Sequence, residues 1–175
     1  MENWTDGTAK VNCNIASPQS WNSSRVITNN AARNVSYAGT IESAGNAYVS
    51  LYGWTRNPQV EWYVVDWYGA HKPCTGNDTT IKWLDNTTTD GDQYEICTKT
   101  RVNKPSIDGT STFPQFWSVR KMHRTNGTIS SGAHFGAWKK AGLKLGKQQF
   151  MNLAVEGQDS NGTASFTVGI GMLPT

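Results

Sequence analysis

The sequence predicts an all-β domain, and three observations support that prediction. Trp is over-used at 8 residues, with 6 Tyr and 5 Phe, although only 37% of the 175 residues belong to the hydrophobic set. Gly, Asn, Ser and Thr are plentiful, and no Leu/Ala-rich run of helix length interrupts them. Short runs of β-branched and aromatic residues alternate with polar ones between turn signals, the pattern of half-buried strands. Such a composition places aromatic rings somewhere other than an aliphatic core. The length fits a single domain, residues 1–175, large enough to bury a full core.

Taken in order, Asn3 to Gly7 reads as a turn with Trp4 near its rim, and Lys10 to Ile15 as the returning strand. Residues 16 to 34 are polar and support no more than one strand, near Arg25 to Thr28. Val35 to Ile41 is a strand. Asn46 to Trp54 is a clearer one, with Tyr48, Ser50, Tyr52 and Trp54 on one face and Val49 and Leu51 on the other. Thr55 to Pro58 returns the chain into an antiparallel neighbour bounded by Pro58 and Gly69. Period two puts Glu61, Tyr63, Val65 and Trp67 on one face of it, and Trp62, Val64, Asp66 and Tyr68 on the other.

Two short strands follow, Thr79 to Asp85 and Asp92 to Val102, joined by an Asp90-Gly91 turn. Asn103 to Thr110 is turn chemistry throughout, so it reads as a defined hairpin tip. Phe113 to Arg120 then returns with Gln115, Trp117 and Val119 on one side. A loop through Asn126-Gly127 leads to the one helix, capped by Ser130 or Ser131 and carrying Phe135, Trp138 and Leu143 as its apolar stripe. Gln148 to Glu156 and Thr163 to Ile170 complete the strands.

Several functions are disfavoured. The net charge of +3 is scattered, and its densest group, Lys139, Lys140, Lys144 and Lys147, reads as a solvated face, not a nucleic-acid footprint. No apolar run reaches transmembrane length, so no membrane partner is expected. His71, His123 and His134 lack metal-ligand spacing. Cys13, Cys74 and Cys97 are compatible either with one disulfide or with three buried or partly buried thiols. Met1-Glu2-Asn3 opens without a signal peptide, as in a mature secreted, extracellular domain restarted at Met.

The chemistry concentrates in two carboxylates, Glu61 and Glu156, each inside a strand. A carboxylate costs several kcal/mol to dehydrate unless it is partnered, so a sheet wanting only a core would not place one there. A pair of such groups suits glycosidic-bond cleavage, one attacking the anomeric carbon and the other protonating the leaving oxygen. The attacker must be ionised, and its charge raises the pKa of its partner. Tyr63 lies on the Glu61 face within reach. Trp4, Tyr48, Tyr52 and Trp54 would lay flat surfaces along a groove, against which the apolar faces of sugar rings pack. Arg101 and Gln115 would supply fixed donors. A non-catalytic carbohydrate-binding domain would keep those platforms but have no use for opposed glutamates.

Motifs along the chain carry a resemblance. They are Trp4-Thr5-Asp6-Gly7, Tyr52-Gly53-Trp54, Asn57-Pro58 with Glu61-Trp62-Tyr63-Val64-Val65-Asp66, Tyr94-Glu95-Ile96 and Arg101. Further on come Pro105-Ser106-Ile107-Asp108-Gly109-Thr110, Gln115 to Arg120, His134-Phe135 with Ala137-Trp138, and Ala154-Val155-Glu156-Gly157. The chain resembles a family 11 glycoside hydrolase, an endo-β-1,4-xylanase, from about Trp4 to its C-terminus.

The resemblance implies a β-jelly roll of two curved, stacked antiparallel sheets with one short helix outside. It also implies a thumb-like hairpin at Pro105 to Gly109 over a xylan cleft. By family pattern Glu61 is the nucleophile and Glu156 the general acid/base of a retaining reaction, which needs the two about 5–5.5 Å apart. Tyr52 and Tyr63 would flank the scissile sugar and Trp4 would stack a sugar. Tyr48, Trp54, Arg101, Pro105, Gln115 and Trp117 would line the cleft. Xylan and xylo-oligosaccharides are the implied partners of a monomer, with no cofactor or metal. Departures from the pattern include a shortened region before Val35, Gln158 and Phe150 where tyrosines are usual, Gly136 where an Asn is usual, and Trp62 directly after the nucleophile.

Overall fold

The structure, a computed structural model, describes residues 9–15, 19–24 and 32–170, with side chains from 32 to 169. Trp4, the turn around it and the strand expected at 25–28 lie outside the described residues. The elements are β1 (Ala9–Ile15), β2 (Gln19–Ser24), β3 (Asn34–Ser43), β4 (Asn46–Arg56), β5 (Val60–Tyr68) and β6 (Lys82–Thr89). They continue with β7 (Asp92–Ser106), β8 (Gly109–Arg120), β9 (Asn126–Ser130), α1 (Ser131–Lys140), β10 (Lys147–Gln158) and β11 (Gly162–Ile170). They build two sheets, a smaller one ordered β1-β11-β3-β9 and a larger one ordered β2-β10-β4-β5-β8-β7-β6. The fold is a predominantly β jelly roll with one short helix.

The core lies between the sheets because each strand presents its aliphatic residues there. Val49, Leu51, Trp62, Val64, Phe116 and Leu153 of the larger sheet meet Val35, Tyr37, Ile129, Phe166 and Val168 of the smaller. Trp138 of α1 packs at 5.9 Å, centroid to centroid, from Trp62, and Phe135 at 5.1 Å, so the helix closes over this core through its two large rings. Gly53 is opposite Trp62, and a Cβ there would come within 2.4 Å of the indole; only glycine admits the ring. The outer face of the larger sheet carries a second cluster, with Tyr52, Trp54, Tyr63, Phe113 and Trp117 among its members.

Several sequence expectations are corrected. Within residues 16–34, where one strand is expected near Arg25 to Thr28, the described strand is β2 at Gln19–Ser24. Asn126-Gly127, read as loop, opens β9, which pairs with β3 from Asn34 to Ala38. The faces of β5 also change hands near its end. Val49 pairs with Trp67 and Ser50 with Val65, leaving Asp66 as the extra residue of a bulge. Trp67 thus packs against the core and Tyr68 joins the aromatic face, the reverse of strict alternation.

Candidate active site

β4, β5, β8 and β7 are consecutive in the larger sheet, and their register sets residues in rows. One row runs Trp54, Glu61, Gln115, Lys99; the next runs Tyr52, Tyr63, Trp117, Cys97. β10 lies on the other side of β4 and places Glu156 opposite Tyr48. A cavity of about 590 Å³ opens over these rows, lined by both glutamates with Tyr48, Tyr63, Arg101, Pro105, Gln115 and Trp117.

Glu61 is only 8% exposed, and the side chains that donate to it among the described residues are neutral. Tyr52 and Tyr63 each donate a hydroxyl to Oε1 at 3.0 Å, and the Gln115 amide donates to Oε2 at 2.5 Å. Burial pushes its pKa up, while those three bonds and the Arg101 charge pull it down; the balance remains above the ordinary value. Glu156 has no such support among the described residues. Burial first, and the Glu61 charge second, raise it to about 8. The two carboxyl groups therefore titrate apart, one able to ionise well before the other.

Aromatic packing fixes the surroundings. Tyr63 stacks on Trp117 with centroids 3.9 Å apart and planes at 3°, and Tyr52 leans on Tyr63 at 4.9 Å. Trp54 does not reach the cavity wall among the described residues. It is 4% exposed, packs on Phe113 and donates its indole N–H to the Tyr52 hydroxyl, so it orients a Glu61 partner.

Pro105 sits at the end of β7, where Gly109 takes φ 84° at the hairpin tip. That hairpin is tied to the β4–β5 end: Arg56 donates to Asp108 at 2.8 Å, and the Gln59 amide donates to Asp108 at 2.9 Å and to Ser106 at 3.2 Å.

The cavity wall the sequence reading missed is the loop after β5. His71, Lys72, Pro73, Cys74, Thr75 and Gly76 all face the cavity. Three alternate residues of β7 grip that loop: Glu95 pairs with Lys72, Cys97 is disulfide-bonded to Cys74, and Lys99 lies 3.4 Å from Asp78. Lys99 was within reach of the sequence, since it shares strand parity with Arg101; the Cys74–Cys97 pairing was not, with three cysteines and no spacing rule to choose between them.

With this geometry in hand, three comparisons agree. The profile for glycosyl hydrolases family 11 matches residues 1–167. Ethylene-inducing xylanase 1 of Verticillium dahliae is 48% identical over 79% of this chain and 60% of its own length. Endo-1,4-beta-xylanase 3 of Pyricularia oryzae is 45% identical over 89% of this chain and 62% of its own. The chain thus spans about 60% of the length of these curated relatives. A solved structure from a comparison of two major endo-1,4-beta-xylanases of Trichodrema reesei superimposes with a TM-score of 0.75 at 30% identity, covering 94% of this chain and 98% of that one. The chain belongs to glycosyl hydrolases family 11.

Proposed function

We infer that this chain is a single catalytic domain that hydrolyses internal β-1,4-xylosidic linkages of xylan by a retaining double displacement. The observation that carries the reading is one cavity lined by a buried and a partly buried glutamate, the first held by three neutral donors and the second raised to about 8 by desolvation and by the first.

Glu61 attacks the anomeric carbon while Glu156 gives its proton to the departing glycosidic oxygen. Bond formation cancels the Glu61 charge, which removes one of the two causes raising Glu156. Its pKa falls, and the same group then takes a proton from the water that releases the sugar. Tyr52 and Tyr63 hold the attacking oxygen in line, Gln115 holds the other, and Arg101 favours the ionised form. Tyr48 and Trp117 offer ring surface to neighbouring sugars, with Pro105 overhanging them. Trp4 is the further platform expected from the family pattern. The enzyme works as a secreted monomer.

The test is release of reducing ends from soluble xylan, with anomer detection on short substrates. Glu61→Gln and Glu156→Gln should each lose on the order of 10²–10⁴-fold or more in kcat while still binding xylo-oligosaccharides. Near-normal turnover in either variant, or an inverted first product, would overturn the assignment.

A further inference from the structure

The cross-strand row of rings does not end at Trp117. Trp117 is opposite Cys97 on β7, and Cys97 is opposite Trp83 on β6, the edge strand of the larger sheet. Two strand spacings, about 10 Å, separate the two tryptophans along one row of the same face. Trp83 is 45% exposed, an unusual degree for a tryptophan on a sheet face. It borders a second hollow of about 590 Å³ lined by Lys72, Trp83, Leu84, Asp85, Asn86 and Glu95.

Leu84 is the extra residue of a β-bulge, since Trp83 pairs with Cys97 while Asp85 already pairs with Ile96. The bulge lets Trp83 and Asn86 share the face of Glu95 although an odd number of positions separates them, so an indole and an amide stand side by side. Lys72 joins the two hollows. It lines the catalytic cavity as well as this one, pairs with Glu95, and sets its ammonium 5.2 Å from the Trp83 ring centroid. That contact and the clamp beneath it hold the indole in place.

A flat apolar ring beside an amide, two carboxylates and an ammonium suits a pyranose, whose C–H face packs on the ring while its hydroxyls bond to the polar groups. We propose that Trp83, with Asn86, Lys72 and Glu95, forms a second sugar-binding station beyond the disulfide-held loop, where a xylan chain longer than the catalytic cavity rests a sugar. The station needs no chemistry of its own and rests on the xylanase reading. It supplies binding from outside the reacting sugars, and that binding is available only to long chains.

The experiment compares Trp83→Ala, Trp83→Phe and Asn86→Ala with the parent, on polymeric xylan and on an aryl xylobioside. In the Trp83→Ala protein the ratio of kcat/KM on polymer to that on the short substrate should fall roughly three- to tenfold, the scale of one aromatic contact. The fall should come through KM, Trp83→Phe should recover part of it, and Asn86→Ala should lose less. In a Glu61→Gln background, Trp83→Ala should release the protein from insoluble xylan, with no matching change on cellulose as the control. An unaltered ratio with unaltered retention overturns the station. So does a concentration-dependent dimer that Trp83→Ala dissolves, since the edge would then serve a second copy of the chain. If the parent cleaves neither substrate, it is the xylanase reading that fails, which keeps the two failures distinct.

Discussion

β5 carries two buried carboxylates five residues apart, and they are built in opposite ways. Asp66 is fully buried and compensated in full: Arg124 donates to it at 2.7 Å, and the Tyr37 and Tyr94 hydroxyls each donate at 2.6 Å. Burial works against the Arg124 charge, but the Asp66 charge and its hydrogen bond outweigh it and hold the guanidinium above its usual range. Glu61 receives as many hydrogen bonds but, among the described residues, no cation at bonding distance, and one side of it opens to the cavity. Full compensation makes a carboxylate inert, because any change of charge leaves a stranded partner. Neutral support keeps Glu61 placed while leaving it free to gain a bond.

The largest expected effects divide these roles. Asp66→Asn should destabilise the domain by about 3–5 kcal/mol, read as a lowered urea midpoint, because the half-buried Arg124 is left without its buried counter-charge. The molecules that do fold should keep their specific activity. Glu61→Gln should do the reverse, losing activity with little change in midpoint. If Asp66→Asn folded normally and lost activity, the comparison would be wrong.

The next effect follows from Glu156. Its native pKa of about 8 exceeds the unfolded value, so the folded chain keeps a proton that the unfolded chain releases on going above about pH 4.3. Stability therefore falls as pH rises through that window. Glu156→Gln removes the dependence, and its Tm gain over the parent should be larger above about pH 8 than below about pH 4. An equal gain at both ends would contradict the raised value. In Glu61→Gln the Glu156 carboxyl, followed by carbon NMR, should titrate below 8, since one cause of its elevation is gone.

The smallest concerns Gln115. Its amide lowers the Glu61 pKa, so Gln115→Met should raise it and move the acidic limb of kcat/KM upward by about one unit. A limb moving down would show that the amide supports the neutral form instead.

Much of this was legible in the sequence because strands write their faces in alternate letters. Tyr48, Tyr52 and Trp54 opposed to Val49 and Leu51, and Gln115 and Trp117 opposed to Phe116, are placed by parity alone. Parity fails wherever a bulge adds a residue, as at Asp66, and the Trp67 and Tyr68 faces were misread for that reason. β9 was missed because Asn126-Gly127 carries turn chemistry, while the ladder that makes it a strand comes from β3, far away in sequence. Trp54 passed for a platform because strand phase says which face a ring is on, not how deep it lies. The loop from His71 to Gly76 has no periodicity to read, and its place over the cavity depends on contacts with β7.

Those contacts have a consequence for how this wall can change. Lys72, Cys74 and Asp78 are fastened to successive same-side positions of one strand, so the loop takes its spacing from the strand and not from its own sequence. Pro73, Thr75 and Gly76 sit between the fasteners. Pro73 is buried and Gly76 takes φ 101°, which favours glycine, so exposed Thr75 is the position open to exchange, a place where substrate preference can drift or be redesigned while the sheet beneath goes on folding as before.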